Sequence, residues 1–130
     1  MAKGALPPFF KLTNTITMNI YIAGKVTGEP IEACRAKFEE AEQRLRSIGV
    51  TPINPLKLGI PITATREEAM PHCMKALRCC DAVLFLIDWE HSEGSHQERG
   101  QALSWKLQLY YEADNDYDTI ADHVAVNMIG

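Results

Sequence analysis

The apolar run DAVLFLI, residues 81–87, is the feature of this sequence that most constrains its fold. Six apolar residues follow one another from Ala82 to Ile87. This is far short of the roughly 20 residues that a membrane-spanning helix needs, but it is the length of a strand. A strand without alternating polar residues is buried on both faces, as at the centre of a parallel sheet. The run therefore predicts a central strand that is covered by helices on both sides.

The segments on either side of this run alternate between strand and helix patterns. Thr65 and Glu68 have the spacing of a capping box, and Ser95 and Glu98 repeat that spacing at the start of a later helix. The predicted strands are residues 19–23, 50–53, 81–87 and 107–111, and the predicted helices are residues 31–48, 67–79 and 95–106. The tail after residue 111 carries only a weak helical pattern.

Strands that alternate with helices form parallel sheets through right-handed crossovers. We therefore expect an α/β fold: a small doubly wound parallel sheet, flavodoxin-like or Rossmann-like, with four to five strands and helices on both faces. Residues 1–17 are predicted to be an irregular N-terminal arm, and residues 18–130 to form the domain. A chain of 130 residues is long enough for one such core.

Charge and cysteine content narrow the possible partners. The chain has 13 Lys and Arg against 17 Asp and Glu, which gives a net charge of −4. This balance disfavours binding to nucleic acid polymers and to anionic membranes. The first 17 residues lack the apolar segment of a signal peptide, so a cytoplasmic protein with reduced cysteines is expected. A zinc site is disfavoured because the available ligands have unsuitable spacing: His72, Cys73, Cys79 and Cys80.

Polar segments follow three of the predicted strands, where the carboxyl ends of a parallel sheet place a ligand site. The candidate binding residues in these segments are Gly24, Lys25, Thr27, Gly28, Asn54, Asp88, Trp89, Ser92 and Gly94. Each has an alternative role. The GKVTG loop resembles a phosphate cradle but also suits a plain turn, Trp89 could stack on a base or cover the core, and Glu98 could be catalytic or a helix cap.

Four stretches of the sequence together resemble the nucleoside 2-deoxyribosyltransferase-like superfamily. They are MNIYIAGKVTG (18–28), the helix with Phe38 and Leu45 that ends at Gly49, INP (53–55), and CCDAVLFLIDWEHSEGSHQERGQA (79–102). The resemblance extends from Met18 to Tyr111. It is greatest to short members from phage and bacterial genomes, which are related to the deoxynucleoside 5′-monophosphate N-hydrolases.

The resemblance implies cleavage or transfer at the N-glycosidic bond of a nucleoside or nucleoside monophosphate, without a metal or an organic cofactor. It assigns Glu98 as the nucleophile that attacks the anomeric carbon and Tyr21 as the residue that orients it. Ser92 matches a serine that binds a 5′-phosphate in the nucleotide hydrolases. It also implies a homodimer or larger homo-oligomer whose subunits share a site. A carboxylate suits this chemistry because it stabilises a positively charged transition state.

The sequence departs from the family at one catalytic position. Cys73 occupies the place of an Asp that helps to protonate the leaving base, and a thiol is the poorer acid for that step. The side chains that could replace the missing acid are His72, Asp88, Glu90 and His96. The alternative function is therefore a catalytically impaired protein that still binds a nucleotide or nucleoside derivative. A third possibility is an assembly protein with an empty pocket.

The acidic residues of the predicted site also bear on the ligand. Asp88, Glu90, Glu93 and Glu98 lie within eleven residues, whereas Lys25 is the cation of the opening loop. Like charges repel one another, so a nucleoside or a monophosphate is expected in preference to a triphosphate.

Overall fold

The computed structural model describes residues 18–129, and the side chains of residues 18–126. Its strands and helices are β1 (Asn19–Ala23), α1 (Ile31–Ile48), β2 (Thr51–Ile53), α2 (Arg66–Arg78), β3 (Ala82–Phe85), α3 (Glu93–Ser104), β4 (Gln108–Tyr111) and α4 (Asp116–Ile129). The predicted N-terminal arm, residues 1–17, lies outside the described residues. Within them, no helix is both long enough and apolar enough to cross a membrane.

The four strands form one parallel sheet in the order β2-β1-β3-β4. β1 lies between β2 and β3, and its Tyr21 is in register with Ile53 on one side and Val83 on the other. The chain therefore moves outward from β1 to β2 and then crosses back to β3 and β4. This arrangement confirms the predicted doubly wound α/β fold, and its switch point lies between β1 and β3.

Helices cover both faces of the sheet. On one face, α1 packs through Phe38 and Leu45, and α4 packs through Ile120. On the other face, α2 packs through Leu77 and α3 through Ala102. Every residue of β3 is fully buried, as the uninterrupted apolar run predicted, although the strand is shorter than residues 81–87.

One predicted helix boundary is wrong. α3 begins at Glu93, and its N-cap is Ser92, whose Oγ accepts a hydrogen bond of 3.1 Å from the Ser95 N–H. Ser95 and Glu98 therefore form no capping box, and Glu98 lies in the interior of the helix. By contrast, the capping box of Thr65 and Glu68 at the start of α2 is confirmed.

The weakly patterned tail forms α4, which completes the core beside α1. Tyr117 and Ile120 are buried, and the Arg44 guanidinium lies 3.7 Å from the centre of the Tyr117 ring. The core therefore extends past residue 111, where the recognisable sequence pattern ends.

Candidate active site

A cavity of about 670 Å³ lies at the carboxyl ends of β1 and β3. The loop after β1, the start of α1, the segment between β2 and α2, one side of α2 and the first two turns of α3 form its walls. Pockets of this volume are typical of small-molecule sites. The position is the one that the switch point of the sheet predicts.

Tyr21 and Glu98 meet in the wall of this cavity. The Tyr21 hydroxyl donates a hydrogen bond of 2.5 Å to a carboxylate oxygen of Glu98. Tyr21 is fully buried in β1, and Glu98 is only 6% exposed. Successive strand residues point to opposite faces, so the neighbours of Tyr21 enter the α1 side while Tyr21 itself points towards α2 and α3.

The electrostatics of this pair follow from its burial. Burial raises the pKa of Glu98 to about 7, although the hydrogen bond from Tyr21 opposes the rise. Burial, together with the negative charge of Glu98, also raises the pKa of Tyr21. The phenol therefore stays protonated at neutral pH and acts as the donor, while the carboxyl titrates near neutrality.

Cys73, on α2, lies in the cavity wall with this pair. Burial raises the pKa of its thiol; the Tyr21 hydroxyl lowers it in part, and the charge of Glu98 adds to the rise. The side chain is therefore a neutral thiol at neutral pH. It stands where the resemblance expects a carboxyl.

The loop after β1 contributes four of the predicted binding residues to the cavity wall: Gly24, Lys25, Thr27 and Gly28. A Cβ on Gly24 would lie 2.8 Å from Cδ1 of Leu86, the residue that follows β3, so a side chain there would force the buried Leu86 side chain to shift. Gly28 has a φ of +83°, which side chains rarely adopt. The two glycines are thus required for different reasons. Ser92 and Gly94 at the start of α3 also line the cavity.

Asp88 does not line the cavity but fixes the loop that does. Its Oδ1 accepts a hydrogen bond of 3.1 Å from the Lys25 N–H. Its Oδ2 accepts a hydrogen bond of 2.5 Å from Lys37 Nζ, which also donates to the Lys25 carbonyl at 2.8 Å. Asp88 therefore holds this loop in place, and its predicted contact with a ligand stays a prediction.

Asn54 and Trp89 also lie outside the cavity wall. Asn54 accepts a hydrogen bond from the Leu56 N–H and donates one of 3.1 Å to Glu42, so its polar atoms serve the polypeptide itself. Trp89 packs against Phe85 at a ring-centre distance of 5.3 Å, which fits its alternative role of covering the core.

Sequence reasoning missed several residues of the wall. Arg66 forms an ion pair of 2.5 Å with Glu93 at the start of α3. Ser95 also lines the cavity and lies three residues before Glu98 on the same helix face, but its local spacing is equally that of a helix cap. The wall contains none of the four predicted replacement acids: His72, Asp88, Glu90 and His96. Among residues 18–129, no three His, Cys, Asp or Glu side chains are grouped so that they could hold a metal ion.

Comparisons with known proteins agree with this architecture. The structure is similar to that of the 2-desoxiribosyltransferase from Leishmania mexicana, with a TM-score of 0.56 and 21% sequence identity. The match covers 72% of this chain and 63% of that one, and it shows the shared fold. No curated protein matches the sequence. Residues 18–111 match the family described as "Domain of unknown function (DUF4406)", and the chain belongs to that family.

Proposed function

We propose that this protein cleaves or transfers at the N-glycosidic bond of a nucleoside or nucleoside monophosphate. The observation that carries the proposal is the buried Glu98 carboxyl, which Tyr21 holds in the wall of the large cavity. The fold that the chain shares with a 2-desoxiribosyltransferase supports the same reaction class.

Glu98 is the proposed nucleophile. One of its carboxylate oxygens bonds to the anomeric carbon, while the bond between that carbon and the base nitrogen breaks and its electron pair leaves with the base. The negative charge stabilises the oxocarbenium-like transition state. Water then attacks the glycosyl ester and completes hydrolysis, or a second base attacks it and completes transfer. The hydrogen bond from Tyr21 fixes one carboxylate oxygen and leaves the other free to attack.

The start of α3 and the loop after β1 are the proposed binding elements for the rest of the substrate. The first N–H groups of a helix and its positive dipole end suit the oxygen atoms of a 5′-phosphate or 5′-hydroxyl, and Ser92 adds a hydroxyl there. Lys25 pairs with Glu29 at 3.1 Å, so part of the cationic charge is already neutralised. A monophosphate or an uncharged nucleoside therefore fits this wall better than a triphosphate.

The rim of the cavity supports the proposal of a homodimer or larger homo-oligomer. Val26, Ile31 and Ile62 are exposed large apolar side chains, and all three line the cavity. Exposed apolar groups that lie together mark surfaces that another molecule covers. A neighbouring subunit would remove them from water and complete the site.

Cys73 favours a second candidate function, that of a protein that binds a nucleotide or nucleoside derivative without cleaving it. A neutral thiol is a poor proton donor to a leaving base, and protonation is a large part of the work of breaking an N-glycosidic bond. The cavity would be retained in such a protein for binding alone.

Base release separates the two candidates. The protein is incubated with nucleosides and deoxynucleoside 5′-monophosphates, and free base is measured by chromatography between pH 5 and 9. We expect release to rise as the pH passes about 7, where Glu98 ionises. Glu98→Gln should lower release by about 100-fold or more, because Gln cannot form the glycosyl ester.

The matched control for this experiment is Glu40→Gln, an exposed position on α1 outside the cavity. It should leave base release unchanged. Thermal stabilisation by a nucleoside without base release would favour the binding protein, and unchanged turnover in Glu98→Gln would remove Glu98 from the reaction.

A further inference from the structure

Ser95 carries a buried hydroxyl without a hydrogen-bond partner among the described residues. The residue is 1% exposed. Its backbone N–H donates a hydrogen bond to Ser92 Oγ, so the capping interaction at the start of α3 does not use the Ser95 hydroxyl. Folded proteins contain few such groups, because burying a hydroxyl without a partner costs free energy.

The position of Ser95 indicates what its hydroxyl serves. Ser95 lines the same cavity as Tyr21 and Glu98. It precedes Glu98 by three residues, and the Cβ atoms of such a pair on a helix lie roughly 5–6 Å apart. Along α3, Ser95 stands between Ser92 at the N-cap and Glu98.

We propose that the Ser95 hydroxyl forms a hydrogen bond with the 2′- or 3′-hydroxyl of the substrate's sugar and so selects among sugars. The inference rests on the proposed function, which puts the anomeric carbon roughly 3–3.5 Å from the attacking Glu98 oxygen. A group one turn away on the same helix face then meets the sugar and not the base. A serine hydroxyl both donates and accepts, and a sugar hydroxyl matches it in both respects.

The unpartnered hydroxyl also predicts selectivity. When the sugar lacks this hydroxyl, the Ser95 hydroxyl stays buried and unpaired in the complex. When the sugar carries it, the two hydroxyls form a hydrogen bond. Sites that are built to hydrogen-bond a substrate hydroxyl discriminate strongly against analogues that lack it.

The test uses nucleosides with one base and three sugars: ribose, 2′-deoxyribose and 3′-deoxyribose. Base release gives kcat/KM for the wild type, Ser95→Ala and Ser95→Cys, and calorimetry gives affinities for the same serine changes in the Glu98→Gln background. Ser104→Ala is the matched control, since Ser104 is an exposed serine of α3 outside the cavity.

We expect Ser95→Ala to lower kcat/KM and affinity by about tenfold or more for the sugars that carry the contacted hydroxyl. The analogue that lacks this hydroxyl should change by less than about twofold, because it makes no such contact. Ser95→Cys should fall between, and Ser104→Ala should match the wild type. The midpoint of thermal unfolding of Ser95→Ala should equal or exceed that of the wild type, because the substitution removes an unpaired buried group.

Two results would overturn the inference. One is that Ser95→Ala has the same kcat/KM and the same affinity as the wild type for each of the three sugars. The other is a lower unfolding temperature with an equal loss for every sugar, which would make the hydroxyl structural. If the wild type releases no base but the affinities still show the sugar-dependent loss, the proposed reaction fails and the sugar contact stands. If no nucleoside binds, both fail.

Discussion

Glu98 is a carboxyl in the protein interior, where its charged form is less well solvated than in water. The hydrogen bond from the Tyr21 hydroxyl stabilises the charged form in part, but burial still raises the pKa of Glu98 to about 7. A group that destabilises the fold in its charged state is typical of functional sites, where activity and stability conflict. Glu98 should therefore limit the stability of this protein at alkaline pH.

The pH dependence of unfolding tests this cost. The pKa of Glu98 rises from an ordinary 4.5 to about 7 on folding, so the folded state holds its proton more tightly. The stability associated with this proton is present below pH 4.5 and is lost as the pH rises through about 7. The difference corresponds to about 3 kcal/mol. Urea unfolding should therefore show Glu98→Gln to be more stable than the wild type by about that amount at pH 8.5, and similar to it at pH 4.

Glu40→Gln is the control for this comparison, because the same chemical change is made at an exposed site. Its stability should follow that of the wild type at each pH. Parallel profiles for Glu98→Gln and the wild type would show that Glu98 is not desolvated in the folded protein.

Cys73→Asp tests whether a missing acid limits the reaction. A carboxyl next to the Tyr21 and Glu98 pair would keep its proton to higher pH, since burial already raises the pKa of Cys73 at that position. We expect base release from neutral nucleosides to increase by about tenfold to a hundredfold, which reaches the low end of the range for general acid catalysis. Chromatographic assay of free base measures the gain.

A nucleoside whose base already carries a positive charge, such as 7-methylguanosine, is the control substrate. Its base leaves without protonation, so Cys73→Asp should change its rate by less than about threefold, because general acid catalysis has no proton to supply. Equal gains for both substrates, or no gain for either, would contradict the role of an acid at this position.

Several residues of the cavity wall could be predicted from the sequence although the local pattern also allowed them another use, as with Glu98 and a helix cap. Tyr21 and Glu98 follow from the resemblance, and the geometry brings them together. Asn54 and Asp88 could not be assigned, because a polar side chain at a strand end binds either a ligand or the polypeptide's own backbone. Here the Asn54 side chain accepts a hydrogen bond from the Leu56 N–H, and the Asp88 side chain accepts one from the Lys25 N–H.

At the scale of elements, the loop after β1 is held in place by two other elements. Asp88 follows β3 and Lys37 belongs to α1, and together they bind both the N–H and the carbonyl of Lys25. The ion pair between them is only about a quarter exposed. This arrangement fixes a cavity wall that neither Asp88 nor Lys37 lines.

Asp88→Asn should therefore loosen the loop while it leaves the reacting groups in place. It keeps an acceptor for the Lys25 N–H but removes the charge that binds Lys37. We expect KM to rise by about tenfold with kcat within about threefold, and stability to fall by about 1 kcal/mol, because the pair is partly screened by solvent. Steady-state assays and urea unfolding measure the two effects.

Asp114→Asn, at an exposed position after β4, is the matched control and should change neither quantity. Lys37→Arg keeps the positive charge and should behave more like the wild type than Asp88→Asn does. A fall in kcat at unchanged KM in Asp88→Asn would contradict a role limited to holding the binding loop.

The predicted start of α3 is wrong because it rests on local spacing alone. Ser95 and Glu98 have the local spacing of a capping box, whereas Ser92 and Ser95 do not. The chain nevertheless makes a 3-10 turn over Trp89–His91, which brings Ser92 to the helix start, and its hydroxyl bonds to the Ser95 N–H. Local spacing could not reveal this turn, because Trp89 is held by packing against Phe85 and Tyr111.

At the scale of the whole molecule, the sheet separates α4 from α2 and α3, the helices that carry Cys73 and Glu98. The cavity lies at the end of the sheet, chiefly on the side of α2 and α3 but with Ile31 and Arg35 of α1 in its wall, whereas α4 packs with α1 on the opposite face. The doubly wound topology was predictable because β3 is apolar throughout and the helix repeats are regular. The docking of α4 was not, since its buried residues Tyr117 and Ile120 are spread among acidic ones.

Ile120→Ala is therefore expected to lower stability without changing the reaction. Ile120 is fully buried between α4 and the sheet, and its truncation should cost about 2–5 kcal/mol in the free energy of unfolding, because a cavity remains. Val126→Ala is the matched control on the same helix: Val126 is 65% exposed, and its truncation should cost less than about 0.5 kcal/mol. Urea unfolding gives both values. At a temperature where both variants are folded, kcat/KM for base release should equal that of the wild type, because none of the described α4 side chains, those of residues 116–126, lines the cavity. Equal stabilities of the two variants would show that α4 is not docked in solution, and a lower kcat/KM for folded Ile120→Ala would show that the two faces of the sheet are coupled.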